Sequence, residues 1–222
     1  MTVHSLTHAR CANEAVDTPL TSADEATMIA AASQKIGELL EILRIDYRND
    51  HNTRDTPQRV ARMYVRELLS GRFSEAPAIT EFESADHDAH LIVTGPIEVR
   101  SLCAHHLLPI YGHAFIGVVP ASDGTIIGLS KYDRIVAHFA ARLQVQEQLI
   151  RQIGDFIVEK TRPRGLAVRL SAVHMCKTHR GVRASRASRM VNTALYGAML
   201  ESPSLKTEFL QECATLEARG ES

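Results

Sequence analysis

The sequence predicts an α+β fold in which an antiparallel sheet carries helices on one face and is preceded by a helical stretch. Three observations predict it. Apolar residues recur at helical spacing through the first third, they alternate with period two from about residue 91, and a pair of helical patterns separates two strand-rich stretches. At 222 residues the chain suits one domain with an appendage and can bury a sizeable core. The pattern divides it into a polar, flexible tail (1–20), a helical region (21–75) and a sheet-bearing domain (76–218).

The elements follow in order. Ser22 and Glu25 have capping-box spacing and open a helix whose apolar side runs through Ile29, Ile36, Leu39, Leu40 and Leu43. Thr56-Pro57 supplies an N-cap and a first-turn proline; Val60, Met63, Tyr64 and Leu68 continue the helix, and Gly71 ends it. Ile97, Val99 and Leu102, then Ala114, Ile116 and Val118, form a strand pair. Ser122-Asp123-Gly124 turns the chain before Ile126 to Leu129. One helix then carries Ile135, Phe139 and Leu143, and a second carries Val145, Leu149, Ile153 and Phe156 and stops before Pro163. Leu166, Val168, Leu170 and Ala172 alternate as a strand that delivers His174 and Cys176; a strand near 189–199 and a helix from Pro203 complete the chain.

Composition narrows the function. With 25 Lys and Arg against 26 Asp and Glu and a pI near 6.8, nothing in the overall charge points to nucleic acid or a membrane surface. No run of 18 apolar residues predicts a membrane span, and the start, with His4, His8 and Arg10, lacks a signal core. The expected compartment is the cytoplasm. There, four cysteines suit metal binding better than a disulfide framework. Cys11 and Cys213 have no ligand-type neighbours and are expected to be bystanders.

Cys103 and His106 stand in Cys-Ala-His-His, and Cys176 in His-Met-Cys-Lys-Thr-His-Arg-Gly. Two thiolates and an imidazole fill three corners of a zinc tetrahedron and leave the fourth for water or substrate, the pattern of a catalytic site. The plainer alternative is two buried cysteines beside a hydrogen-bonded histidine, or a disulfide joining them. His105 and His174 flank these residues and suit proton transfer near neutral pH, the alternative being core histidines. His4, His8, His51, His87 and His90 read as surface residues, and His113, His138 and His179 as structural ones. Ser130-Lys131-x-x-Arg134 opens a helix after Gly128 and could seat phosphate, with Arg180 and Arg62 adding guanidinium groups; ordinary solvated charge is the alternative. Gln146-Glu147 offers a carboxylate able to accept two hydrogen bonds from a guanine edge, although most such residues face water.

Together, Cys-Ala-His-His-Leu-Leu-Pro (103–109), Ile-Gly-Leu-Ser-Lys (127–131), Gln-Val-Gln-Glu (144–147), His-Met-Cys-x3-Arg-Gly-Val-Arg (174–183) and Thr-Pro-Gln-Arg-Val-Ala-Arg-Met (56–63) closely resemble the GTP cyclohydrolase I family. The resemblance covers about residues 22–215. It implies a tunnelling fold in which sheets of several subunits form an oligomeric barrel, with homo-oligomers that are typically decamers in bacteria. It further implies zinc-dependent hydrolysis of GTP to 7,8-dihydroneopterin triphosphate and formate, the first step toward folates and pterins; the alternatives are a paralogue on the same scaffold acting on GTP or a related purine nucleotide for a deazapurine or specialised pterin pathway, and a non-catalytic zinc-stabilised assembly. By motif, Cys103, His106 and Cys176 hold zinc, while His105, His174 and Ser130 serve catalysis. Gln146 and Glu147 anchor guanine, and Lys131, Arg134, Arg180 and a neighbouring subunit's Arg62 bind triphosphate or ribose. The chain departs from the family's usual pattern at Ala104, where Glu is common, at Lys177, where an apolar residue is usual, and at Met190 and Asn192, where Thr-x-Thr is frequent. Loss of a carboxylate beside the metal weakens metal binding by about tenfold in comparable sites.

Overall fold

A computed structural model describes residues 14–16, 18–83, 90–121 and 125–220. The chain divides between Glu75 and Ala76 into two compact units. The expected tail, Cys11, His4, His8, His87 and the turn at 122–124 lie largely or wholly outside the described residues. Among the described residues no helix is long and apolar enough to cross a membrane.

The first unit holds α1 (Ser22–Ile42), α2 (Thr56–Met63), a π-helical turn (Tyr64–Leu68) and α3 (Ser70–Phe73). The capping box sits one residue earlier than the sequence suggests. Thr21 is extended (φ −74°, ψ 163°), its hydroxyl accepts from the Asp24 N–H and the Asp24 carboxylate accepts from the Thr21 N–H. Glu25 is thereby freed to meet Arg66 at 2.8 Å. Ile29, Ala61 and Val65 form the core of this unit, joined by Met28, Ala32, Ile36 and Phe73. The expected apolar stripe weakens beyond Ile36, where Leu40 is half-buried but Leu39 and Leu43 are 52% and 59% exposed. Gly71 does not end the helix. The chain gains a residue at the π turn and re-enters helix, burying Gly71 within α3.

The second unit contains β1 (Glu81–Glu83), β2 (Ile92–Cys103), β3 (Pro109–Val119), β4 (Thr125–Ile127), α4 (Leu129–Ala140), β5 (Leu143–Gln144), α5 (Gln146–Thr161), β6 (Gly165–His174), α6 (Met175–Thr178), β7 (Met190–Gly197), α7 (Ala198–Glu201) and α8 (Pro203–Gly220). The main sheet runs β5-β2-β3-β6-β7, antiparallel apart from the short β2–β5 pairing, and β1 and β4 form a separate ribbon. The fold is mixed α+β, as expected. Leu143 and Val145 are not helical, however. Leu143 pairs with Leu102 in β5, and Val145 is the extended N-cap of α5.

Helices cover both faces of the sheet rather than one. Ile97, Val99, Ile116, Leu166, Val168 and Leu170 pack with Ile135 and Val136 of α4 and Leu149, Ile153 and Ile157 of α5. Phe115, Val119 and Ala167 project the other way and pack with Met199, Phe209 and Cys213, so α8 closes the second face. The alternation in β3 and β6 hides this, since both strands are buried on both sides. A Cβ at Gly117 would come within 2.5 Å of the Phe209 ring, so the strand needs glycine to admit the helix. Phe209→Ala empties a fully buried site and is expected to cost ~3–5 kcal/mol, measured by chemical denaturation.

Candidate metal centre and active site

β2 ends at Cys103, and the turn behind it is closed by Cys103 N–H to Leu108 O (2.8 Å) and Leu107 N–H to Cys103 O (2.9 Å), with Leu107 at φ 54°. Ala104 N–H donates to Gln144 O (2.9 Å), tying this turn to β5. Antiparallel pairing sets Ile110 of β3 opposite His174, which brings the end of β6 back beside the turn. The single turn of α6 then lifts Cys176 into place.

The result is that donor atoms of Cys103, His106 and Cys176 all lie within 4.8 Å of one another. Sulfurs and nitrogens bound tetrahedrally at zinc distances lie ~3.5–3.8 Å apart, so a small contraction completes the site. The donor set fits. Cys103 is buried, Cys176 half-buried and His106 exposed, giving one open side. The two thiols are free. Burial and the adjacent Cys103 raise the Cys176 thiol above its ordinary range, so a pair of thiolates here calls for a cation. The His105 N–H donates to Cys103 Sγ at 3.2 Å, a bond that favours the thiolate, and Arg180 donates to His106 Nε2 at 2.8 Å.

His174 is oriented from behind by Gln146. The Gln146 amide nitrogen faces three acceptors, Leu170 O (3.2 Å), Met190 O (3.1 Å) and Asn192 Oδ1 (2.8 Å), which turns its oxygen toward His174 Nε2 at 2.7 Å. His174 Nε2 must therefore carry the hydrogen, leaving Nδ1 as its acceptor. Burial lowers the His174 pKa, with Glu147 opposing and Lys177 reinforcing that shift. Gln146 is only 1% exposed, so its amide is committed to the protein.

The remaining expected residues are more dispersed. Glu147 is exposed on the first turn of α5 and lines a cavity of about 490 Å³ with Arg151, Asp155, Asn192 and Tyr196. A different cavity of about 360 Å³ is lined by His174, Cys176, Lys177, Ser188, Arg189 and Met190. Ser130, Lys131 and Arg134 occupy the first turns of α4, with Ser130 and Arg134 exposed. Arg62 is exposed on α2 in the first unit, beside Gln58 and Arg66. Among the other histidines, His51 and His90 are exposed, His113 meets Glu98 at 3.2 Å, and burial together with the positive charge of Arg142 pushes the His138 pKa down to about 4. Cys213 sits in the α8 core, its thiol pushed up to about 12 by burial. Sequence reasoning gave no site role to Asn192, Ser188 or Arg189. The run of cations after Cys176 was the available signal for Arg189.

The chain is similar in sequence to known proteins. The sequence profile of GTP cyclohydrolase I matches residues 32–214. GTP cyclohydrolase 1 of Thermobifida fusca is 40% identical over 154 residues, which is 69% of this chain and 73% of that protein. That of Enterobacter is 34% identical over 210 residues, 94% of this chain and 93% of the relative. Among solved structures, the archaeosine synthase QueF-Like in the apo form has a TM-score of 0.37 and 11% identity, covering 56% of this chain and 98% of that one. With a match spanning most of its length and relatives at 34% and 40% identity, this chain belongs to the GTP cyclohydrolase I family.

Proposed function

We propose that the chain hydrolyses GTP to 7,8-dihydroneopterin triphosphate and formate, with zinc held by Cys103, His106 and Cys176. The observation that carries this reading is the convergence of those three donors beside a histidine oriented by a buried amide. When bound, zinc supplies Lewis acidity and a water of lowered pKa. His174, with Nε2–H fixed on Gln146, uses Nδ1 to take a proton from the attacking water and return it to the departing ring nitrogen. Burial favours its neutral form, so it starts as a base. His105 assists on the ribose side while the sugar opens and rearranges.

Glu147 accepts from the N1–H and amino group of guanine, and Gln146 acts by aiming His174. Ser130, Lys131, Arg134 and Arg180, with Arg62 of a neighbouring copy, position the ribose and triphosphate, which is not cleaved. Glu147 and His174 line different cavities of the second unit, which suits a site completed by other subunits. So does β7, an edge strand with no further partner among the described residues. Membership of the family is what supports a homo-oligomer, a decamer, built on the tunnelling fold, and the cytoplasm is its expected compartment.

The test is metal analysis of the purified chain combined with product identification after incubation with GTP. About one zinc per chain, with formate and dihydroneopterin triphosphate released together, is expected. Absence of both products rejects the reading.

A further inference from the structure

Residues 161–200 contain eight of the chain's 25 cations and none of its 26 carboxylates. In a chain of net charge −1 this is a strong local asymmetry, and it falls on the segment that carries Cys176. Lys177, Arg180, Arg183, Arg186 and Arg189 crowd into its middle. Among the described residues none of the five forms an ion pair with a carboxylate. Like charges left unneutralised repel, and their field attracts anions.

The segment is shaped by its own bonds. Ala184 N–H returns to Lys177 O (3.1 Å), Arg183 N–H to Arg180 O (3.2 Å) and Ser188 N–H to Ser185 O (2.9 Å). Gly181 and Arg183 turn the chain at φ 60° and 47°. Lys177 Nζ donates to Ser188 Oγ at 2.9 Å, which anchors the ammonium without neutralising it. Lys177, Ser188 and Arg189 line the same cavity of about 360 Å³ as His174 and Cys176. Two unneutralised cations thus share a wall with a catalytic histidine and a metal-ligand sulfur.

We propose that Lys177 and Arg189, with Ser188 holding the lysine, form an additional seat for the polyphosphate of the nucleotide, and that Arg183 and Arg186 extend it into a positively charged approach. The ligand class is a polyphosphate anion. Its identity as the nucleotide's own phosphates rests on the function proposed above, whereas the anion seat stands on the charge and the cavity. A rival occupant is an acidic surface of a second copy.

Inorganic tripolyphosphate is titrated into the zinc-loaded full chain by calorimetry, at roughly 50 and 500 mM salt. Compared with the parent, the Lys177→Met/Arg189→Gln double variant is expected to bind it about tenfold or more weakly at low salt. It is also expected to show a flatter dependence on salt, and its KM for GTP should rise more than its kcat falls. Lys177→Arg in place of Lys177→Met should recover most of the binding. Unchanged tripolyphosphate binding in the double variant overturns the proposal. So does a loss of binding accompanied by loss of zinc or of assembly, which would assign the segment to structure or to the subunit interface. The titration needs no turnover, so a failure to hydrolyse GTP would count against the function and not against the anion seat.

Discussion

Cys176→Ser is expected to leave the purified chain essentially without zinc and to reduce formate release by about three orders of magnitude or more. The two sulfurs and the imidazole already lie within 4.8 Å of one another. Serine at position 176 keeps the size of the side chain but removes the soft, deprotonated ligand. Its hydroxyl does not ionise near neutral pH, so the site loses one of two negative charges as well as one donor. Removing a group that merely supports a ligand costs 10–100-fold in metal affinity, and removing the ligand itself should exceed that. Elemental analysis and a formate assay on the same sample settle the matter. A full zinc complement in Cys176→Ser would show that the cation sits elsewhere.

His174→Ser is expected to lower kcat by ~10²–10⁴ while leaving zinc content and assembly unchanged, the range for loss of a positioned acid–base group. The reason lies in the hydrogen-bond chain behind the ring. Leu170 O and Met190 O fix the Gln146 amide, and its oxygen fixes His174 Nε2–H. Serine can occupy the space but cannot carry a proton to the departing nitrogen. Zinc held normally with turnover collapsed distinguishes this loss from that of Cys176→Ser, in which both fall together. Turnover at the parent's rate would remove His174 from the mechanism.

Much of the fold is legible in the residues because β2, β3 and β6 alternate where one face is being filled. Leu166, Val168, Leu170 and Ala172 fall on the α5 side as their spacing predicts. What the alternation cannot disclose is the second covered face, since Phe115 and Ala167 look like ordinary outward residues until α8 arrives. Leu143 and Val145 mimic helical spacing across a break, and only the pairing of Leu143 with Leu102 shows that the chain is extended there. At the candidate site, Cys103 and His106 are local in sequence and Cys176 is set by a second motif, so all three could be found. The commitment of Gln146 could not. It depends on the β6–β7 register that sets Leu170 opposite Asn192, a long-range fact with no local signature.

The lodging of Phe209 beneath Gly117 has a consequence for how the molecule is made. The helix that shelters Phe115 and Ala167 is synthesised after every strand of the sheet it covers. Until it emerges from the ribosome, the nascent sheet displays a greasy underside that invites chaperones or self-aggregation. A premature stop near Ser202 would therefore spare every proposed catalytic group and still yield an insoluble product.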